Sequence, residues 1–163
     1  MQLQEENKKA IVETADQFLT FMLGEEEYGV EILKVQEIKS WGPYTPLPKS
    51  PEHVLGVINL RGAIVPMIDL RCRFDLPSVE YTSTTAIIIV RSVVEEQIRI
   101  IGLVVDRVSE VYHLDNEAIQ ETSDATGLAR GEYIRGFGQT EDKMVILINL
   151  DPIVESSLES GGF

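Results

Sequence analysis

A tight turn between two apolar stretches dominates the middle of this 163-residue chain. The apolar residues run from Val57 to Leu60 before the turn and from Ile64 to Leu70 after it. Gly62 permits a backbone conformation that most side chains disfavour, so the pattern predicts a β-hairpin closed at Arg61 and Gly62. The simplest interpretation of Arg61 is a solvated cation at the hairpin tip.

Pro66 lies inside the second apolar stretch of this hairpin. Proline has no amide hydrogen, so it removes one donor from the hydrogen-bonded ladder between strands. The sequence therefore predicts that this strand lies at the edge of a sheet or contains a bulge.

The chain also contains an internal repeat. Two segments share a glycine, a basic residue, a valine, a glutamate and a final β-branched residue at equal offsets. Each segment follows a predicted hairpin, and later strand and turn signals come in the same order in both halves. The alignment pairs Gly29–Ile38 with Gly102–Val111, Ile58–Gly62 with Tyr133–Gly136, and Ile64–Leu70 with Met144–Leu150.

The strand signals are short and rich in valine and isoleucine, which predicts an all-β protein built from two small barrels. Each half is too small to bury much surface alone, so the two halves are expected to pack together. Short helical patterns occur at Asp115–Glu121 and Pro152–Leu158. The predicted boundaries are a frayed or helical N-terminal segment at 1–16, a first barrel at 17–82, a second barrel at 83–154 and a flexible tail at 155–163.

Composition excludes several classes of function. The formal net charge of −13 disfavours contact with nucleic acid or anionic lipid, because both require clustered Lys and Arg. The lone Cys72 excludes an internal disulfide and is most simply a reduced thiol. No secretory signal and no apolar run of about 18 residues is present, so we expect a cytoplasmic protein that reaches membranes only through protein partners.

The search for catalytic chemistry returns little. The sequence lacks a phosphate-binding loop, a dinucleotide fingerprint and Cys/His spacing typical of a metal site. Ser109, His113 and Asp106 supply the residue types of a catalytic triad, but no nucleophile elbow accompanies them. We therefore expect a protein that is not an enzyme and that holds no cofactor and no metal.

Three motifs together carry a family resemblance. They are the hairpin and repeat segment from Phe18 to Ile38, the Asn59–Gly62 turn, and the strand from Val65 to Arg71. In combination they closely resemble the CheW family of chemotaxis coupling proteins, over residues 17–153. The resemblance implies two five-stranded SH3-like β-barrels, packed together and partly intertwined, with short peripheral helices. It also implies an adaptor between the cytoplasmic tip of methyl-accepting chemoreceptors and the regulatory domain of a CheA-type histidine kinase.

The resemblance further implies two binding surfaces. Turns of the first half are expected to face the kinase, and a seam between the halves is expected to hold the receptor tip in a helix-in-groove mode. For each aliphatic residue, interior packing remains the alternative, because strand side chains alternate between faces. The expected kinase-binding residues are Trp41, Pro43, Tyr44, Leu47, Gly56 and Gly62. The expected receptor-groove residues are Ile32, Val35, Glu37, Ile38, Arg61, Ala86, Ile88, Gly102, Val104 and Val108.

Further expectations concern single residues. An arginine at an apolar turn needs an acceptor if any of it is buried. We expect Arg61 to form an ion pair with Glu37, because Glu37 ends a strand of the same half and the resemblance places it near the same groove. Trp41 is open to two interpretations, a partly buried loop anchor or an interface aromatic. The segment from Thr122 to Gly127 has no large apolar anchor, which argues against a strong second kinase contact there.

Other functions stay open from the sequence. The same family fold occurs as a regulatory domain of the kinase, although no phosphoacceptor-bearing segment lies outside the resemblance. A barrel that binds a metabolite or oligosaccharide would require convergent polar residues. An RNA-binding barrel would combine exposed aromatic residues with basic ones, which the negative charge disfavours. The sequence does not identify the receptor, its ligand or the kinase.

Overall fold

The computed structural model describes residues 17–121 and 131–161, which form eleven strands and two short α-helices. The first seven strands are β1 (Gln17–Leu23), β2 (Glu26–Glu31), β3 (Val35–Ser40), β4 (Val54–Leu60), β5 (Ala63–Asp69), β6 (Ala86–Val94) and β7 (Gln97–Val105). They are followed by β8 (Arg107–His113), β9 (Ile119–Glu121), β10 (Ile134–Gln139) and β11 (Met144–Ile148). The helices are α1 (Leu70–Arg73) and α2 (Leu150–Gly161), and single 3-10 turns lie at Ile32–Lys34, Asn116–Ala118 and Gly131–Tyr133.

The strands form two sheets with matching topology. The first sheet has the order β8-β1-β2-β11-β10-β9, and the second has the order β3-β6-β7-β5-β4. The hairpin β1–β2 in the first sheet corresponds to β6–β7 in the second. The first hairpin pairs in parallel with the later strand β11, and the second pairs in parallel with the earlier strand β5. The predicted pair of five-stranded SH3-like barrels is confirmed, and the three-residue β9 adds a sixth strand to one of them.

The two sheets exchange strands. After its hairpin, the first half sends β3 to pair with β6 in the second sheet. The second half sends β8 to pair with β1 in the first sheet. The prediction that Gly29–Ile38 and Gly102–Val111 occupy equivalent places is therefore confirmed, as is the intertwining. The predicted boundary between residues 82 and 83 stays a prediction about where one sequence repeat ends and the next begins. Each sheet contains strands from both sides of that boundary.

One part of the repeat alignment is wrong. Arg61 and Gly62 form the β4–β5 turn, whereas Arg135 and Gly136 lie within β10. The structural counterpart of Gly136 is instead Gly56, and the pairing register shifts at both glycines. The sequence alignment paired two Arg-Gly dipeptides. In the structure the equivalent residues are Gly56 and Gly136, the two glycines at β-bulges, which we call the bulge glycines.

Each bulge glycine allows a close backbone approach. A Cβ atom on Gly56 would lie 2.2 Å from the carbonyl oxygen of Thr45, and one on Gly136 would lie 2.4 Å from that of Gln120. Thr45 forms a bridge with Val57, and Gln120 pairs with the corresponding strand through β9. These two glycines therefore let a further segment pair with the outer edge of β4 and of β10.

Pro66 lies where the ladder needs no donor from it. Its partner Val57 directs its own N–H and C=O to Thr45, with N···O distances of 2.8 and 2.9 Å. On the other side, β7 pairs with β5 only from Met67 onward. The predicted edge strand is wrong, because β5 lies between β7 and β4, but Pro66 precedes the part of β5 that pairs with β7 and so removes no hydrogen bond there.

The main core lies between the sheets and under the helices. Its fully buried members include Phe21, Tyr28, Ile88 and Leu103. Ile153 and Val154 anchor α2 on this core. A second cluster fills the second sheet around Met67, Ile87 and Ile89, and a third fills the first sheet around Phe18, Leu114, Val145 and Leu147.

Two predictions about helices require correction. Asp115–Glu121 is not a helix, because only the 3-10 turn Asn116–Ala118 forms before β9 begins. Residues 155–161 are not a flexible tail, because they continue α2, and Ser157 is fully buried. The apolar residues that precede them hold the helix against the core. The predicted segment 1–16 lies outside the described residues.

A partly buried ion pair fixes the second strand exchange. Asp106 lies between β7 and β8, where the chain crosses from one sheet to the other. The Arg71 guanidinium at the start of α1 donates from Nε and Nη2 to its two carboxylate oxygens, at 2.7 and 2.6 Å. The Gly24 N–H in the β1–β2 turn donates to the same carboxylate at 2.7 Å. One carboxylate therefore joins both sheets and the short helix.

Alanine at either bulge glycine is expected to destabilise the fold. Because the new Cβ would overlap a backbone carbonyl, Gly56→Ala and Gly136→Ala should each lower the free energy of unfolding by about 1–3 kcal/mol. Urea unfolding followed by circular dichroism measures the change. The control is Gly42→Ala, whose Cβ meets no atom within 4 Å and should change stability by less than about 0.5 kcal/mol. Equal effects at all three sites would contradict the close-approach argument.

The Asp106 ion pair predicts a specific acid sensitivity. Burial alone would raise the pKa of Asp106, but the hydrogen bonds from Arg71 and Gly24 outweigh burial and lower that pKa. The pair therefore stabilises the fold above the unfolded pKa of about 3.9, and this contribution is lost as the pH falls through the folded pKa. Between about pH 5 and pH 3, wild type should lose more unfolding free energy than Asp106→Asn.

Urea titrations at several pH values test this difference, with the exposed Glu141→Gln as the matched control. That control should follow the wild-type pH dependence. If Asp106→Asn also followed it, the ion pair would make no pH-linked contribution.

Candidate functional site

An open groove lies between two edge strands that belong to different sheets. One wall is β3 of the second sheet, the other is β8 of the first, and the segment that leads into β6 forms the floor. We call it the edge-strand groove, and its volume is about 390 Å³. Its lining residues are Ile38, Lys39, Ser40, Ser83, Thr84, Thr85, Ala86, Arg107 and Val108. The strand exchange creates this groove, because it brings each half's departing strand to an edge of the opposite sheet.

The predicted ion pair between Arg61 and Glu37 is confirmed. The Arg61 Nη1 lies 2.8 Å from Glu37 Oε2. Glu37 belongs to β3 and Arg61 follows β4, and these strands are the opposite edges of the second sheet. The pair therefore connects the two edges of the curved sheet. The Glu37 side chain is 23% exposed and that of Arg61 is 74% exposed, so the carboxylate is the more desolvated partner.

The turn that presents Arg61 is tightly defined. Arg61 and Gly62 have φ angles of 51° and 88°, the left-handed conformations typical of a two-residue hairpin loop. The Asn59 side chain accepts a hydrogen bond from the Gly62 N–H at 2.8 Å. The predicted tight turn is confirmed, but the tip cation is paired and not simply solvated.

The first sheet carries a counterpart of this ion pair that sequence reasoning missed. Glu110 occupies the repeat position of Glu37, and Lys143, just before β11, lies 3.9 Å from it. Lys143 also lies 2.8 Å from the buried carboxylate of Glu27, and the hydrogen bond that Lys143 donates to that carboxylate raises the pKa of Lys143. The sequence signal for this second pair was the glutamate that both repeats share. The cation gave no signal, because Lys143 does not occupy the repeat position of Arg61.

The structure brings together part of the predicted receptor groove. Ile38, Ala86 and Val108 line the edge-strand groove, and Glu37 and Arg61 form the neighbouring ion pair. Ile38 is the most available apolar member, since 47% of its surface is exposed.

Five of the other predicted groove residues point elsewhere. Ile32 and Val35 are partly buried against the core between the sheets. Ile88, Gly102 and Val104 are buried and do not line the edge-strand groove. Both faces of β6 and β7 are covered here, so Ile88 packs in the main core and Val104 packs in the second cluster. Interior packing was the alternative for every aliphatic position.

The predicted kinase-facing residues divide by exposure. Trp41 is half-buried, stacked on Tyr81 at a centroid distance of 4.2 Å and 5.5 Å from Tyr44. This packing favours the loop-anchor interpretation of Trp41. Gly56 is buried, so it shapes the surface but does not contact a partner. Pro43 is exposed, Leu47 is half-buried, and the exposed Gly62 lies close in sequence to Ile64, which is 63% exposed.

Tyr81 is a second residue that sequence reasoning did not select. Its hydroxyl donates to Asp69 Oδ2 at 2.8 Å, while Asp69 Oδ1 accepts the Arg71 N–H that opens α1. Burial, together with this hydrogen bond, raises the pKa of the Tyr81 hydroxyl. The segment between the halves is therefore fixed beside Trp41, and nothing in the sequence pattern signalled that contact.

The residues with catalytic potential are engaged elsewhere. His113 Nε2 lies 3.0 Å from Asp115, and Asp106 is bound by Arg71, so neither forms a triad with Ser109. Within residues 17–121 and 131–161, no group of three or more His, Cys, Asp or Glu side chains is arranged to hold a metal ion. Over the same ranges, no helix has the length and apolar character needed to cross a membrane. The segment from Thr122 to Gly127 lies outside these ranges.

Comparison with known proteins gives a consistent result. The CheW-like domain family model matches residues 17–158. Chemotaxis protein CheW of Klebsiella aerogenes is 39% identical over 140 residues, which cover 86% of this chain and 82% of that protein. Chemotaxis protein CheW of Rhizobium meliloti is 36% identical over 140 residues, covering 86% of this chain and 88% of that protein.

A solved structure agrees with these sequence matches. The scaffolding protein TtCheW from Thermoanaerobacter tengcongensis superposes with a TM-score of 0.78 at 35% identity. The match covers 86% of this chain and 93% of that one. The intertwined barrels and the sequence motifs therefore define a chemotaxis scaffold. The chain belongs to the CheW family.

Proposed function

We propose that this protein is a non-catalytic adaptor that couples transmembrane chemoreceptors to a CheA-type histidine kinase. The observation that carries the proposal is the edge-strand groove, in which the exposed Ile38 follows directly after Glu37 of the Arg61–Glu37 ion pair. Membership of a family of chemotaxis scaffolds supports it. The adaptor acts in the cytoplasm and reaches receptor arrays at the membrane through its protein partners.

The receptor tip binds in the edge-strand groove. A receptor tip is a helical hairpin, and a helix docks in a groove through a stripe of apolar anchors. Ile38, Ala86 and Val108 supply apolar contacts from β3, β6 and β8. Because these strands come from both sheets, one bound helix contacts both barrels at once.

The kinase regulatory domain binds at the turns of the first half. Gly62 and Ile64 lie exposed at the start of β5, and Pro43 is exposed in the loop after β3. A domain with the same fold presents equivalent turns, so the two barrels pair through similar apolar faces. The half-buried Trp41 and Tyr44 support this surface from beneath, through their packing on the second sheet.

The ion pair beside the groove provides the main test. Arg61→Ala should leave a folded protein, because a largely exposed pair contributes only about 0–1 kcal/mol to stability. Receptor docking desolvates the pair, and an unpaired charge there costs about 2–5 kcal/mol by analogy with buried interface pairs. Arg61→Ala and Glu37→Ala should therefore retain kinase binding but lose receptor control of the kinase.

A reconstituted kinase assay with receptor measures this effect for wild type, the two single variants and the double variant. A double variant less impaired than the sum of the singles would support direct pairing. Arg91→Ala, which changes an exposed arginine outside the groove, is the control and should behave as wild type. Normal receptor control in both single variants and the double variant would refute the receptor-binding role of this pair.

Gly62→Asp should weaken kinase binding more than receptor binding. A Cβ at Gly62 meets no atom within 4 Å, so the fold survives with a conformational cost of about 1–2 kcal/mol for the positive φ. The new carboxylate would lie near the exposed Ile64 on the proposed kinase face. Binding titrations against each isolated partner measure the two affinities.

The matched control is Gly62→Asn, which tolerates a similar backbone conformation without adding charge. It should retain most of the kinase affinity. An equal loss of both affinities in Gly62→Asp, accompanied by a lower melting temperature, would show that Gly62 has only a structural role.

A further inference from the structure

The edge-strand groove has a charge opposite to that of the protein as a whole. The chain carries 27 acidic and 14 basic residues. The nine groove-lining residues nevertheless include no Asp or Glu, and they include Lys39 on β3 and Arg107 on β8. A larger groove on the first sheet is lined by the four acidic residues Glu25, Glu26, Glu27 and Glu110 and by two cations, Lys143 and Arg107, and Arg107 lies between the two grooves. The groove in which the proposed receptor helix would lie is therefore lined by two cations and no acidic residue.

Neither groove cation is neutralised by a described part of the chain. Lys39 and Arg107 make no ion pair and no side-chain hydrogen bond with residues 17–121 or 131–161. Most other cations nearby are engaged: Lys34 with Asp151, Arg61 with Glu37, Arg71 with Asp106, and Lys143 with Glu27. The two groove cations are therefore available to an incoming partner.

The polar groups of the floor complement these cations. The Thr84 hydroxyl donates to the Asp106 carbonyl oxygen, and the Thr85 hydroxyl accepts the Thr82 N–H. Ser40 and Ser83 contribute further hydroxyl groups to the lining. The proton of the Thr84 hydroxyl is already engaged, so Ser40 and Ser83 are the hydroxyl donors that accompany the two cations. Cations and hydroxyl donors together favour carboxylates, while Ile38 and Val108 favour apolar side chains.

We propose that Lys39 and Arg107 select a helix whose apolar stripe is flanked by acidic side chains. This inference rests on the proposed receptor-binding role of the groove and specifies the chemistry of its occupant. The negative field of the rest of the surface repels an acidic helix, and the groove attracts it, so the two cations also set the docking position. Lys39 and Arg107 belong to the two different sheets, so an acidic helix held by both fixes one barrel relative to the other.

The test measures binding of the full chain to a purified cytoplasmic fragment of a chemoreceptor. A second probe is the same fragment with the Asp and Glu residues of its tip changed to Asn and Gln. The variants are Lys39→Gln, Arg107→Gln and the double variant, and the control is Arg91→Gln, an exposed arginine that does not line the groove. Fluorescence anisotropy at about 50 mM and about 500 mM salt separates charge effects from packing effects.

At low salt, each single variant should bind the unmodified fragment about threefold more weakly, and the double variant about tenfold more weakly. At high salt these differences should shrink to less than about twofold. The Arg91→Gln control should bind as wild type does. The neutralised fragment should bind all of the variants equally.

Three results would overturn the charge selection. They are full affinity of the double variant at low salt, a loss of affinity that does not depend on salt, or equal losses with the unmodified and neutralised fragments. In each of them wild type still binds the unmodified fragment, so the adaptor role stands. If wild type itself does not bind that fragment, the proposed receptor-binding role fails, and the charge selection fails with it.

Discussion

Arg71 holds Asp106 with two hydrogen bonds at the point where the chain leaves β7 and enters β8. The same carboxylate accepts the Gly24 N–H from the β1–β2 turn, so it fixes the crossing relative to both sheets. The other crossing, from β2 to β3, carries a pair of reversed polarity, with Lys34 Nζ 3.8 Å from Asp151. A protein with exchanged strands must define where each strand leaves its hairpin. Here an ion pair joins each crossing segment to the start of a helix.

The candidate site follows from this exchange. The groove walls β3 and β8 are the two strands that cross, and each forms an edge of the sheet it joins. The groove therefore depends on contacts that are distant from it, including the buried end of Arg71. Near the groove, the Arg61–Glu37 pair connects the edges of the second sheet, and Lys143 plays a similar part in the first. The same elements thus close the barrels and shape the proposed receptor surface.

The two barrels are related but not interchangeable. The second sheet ends in a turn that presents a largely exposed arginine to Glu37, whereas in the first sheet Lys143 is shared with the buried Glu27. Such differences let a duplicated fold offer two distinct faces, which is what an adaptor between two unlike partners requires. Charge follows the same asymmetry, because the groove on the first sheet has four glutamates and two cations, whereas the groove between the sheets has two cations and no acidic residue.

The sequence by itself determined the all-β class, the internal repeat, the tight Arg61–Gly62 turn and the family, because these depend on local residue patterns. It also anticipated the Arg61–Glu37 pair, since a turn arginine beside apolar strands needs an acceptor and the family resemblance placed Glu37 near the same groove. Only the tertiary structure decided that Ile88 and Val104 lie inward, and that Lys39 and Arg107 share one groove. Strand alternation leaves the buried face unspecified until the sheets pack. Residues far apart in the chain meet only after the strands have exchanged.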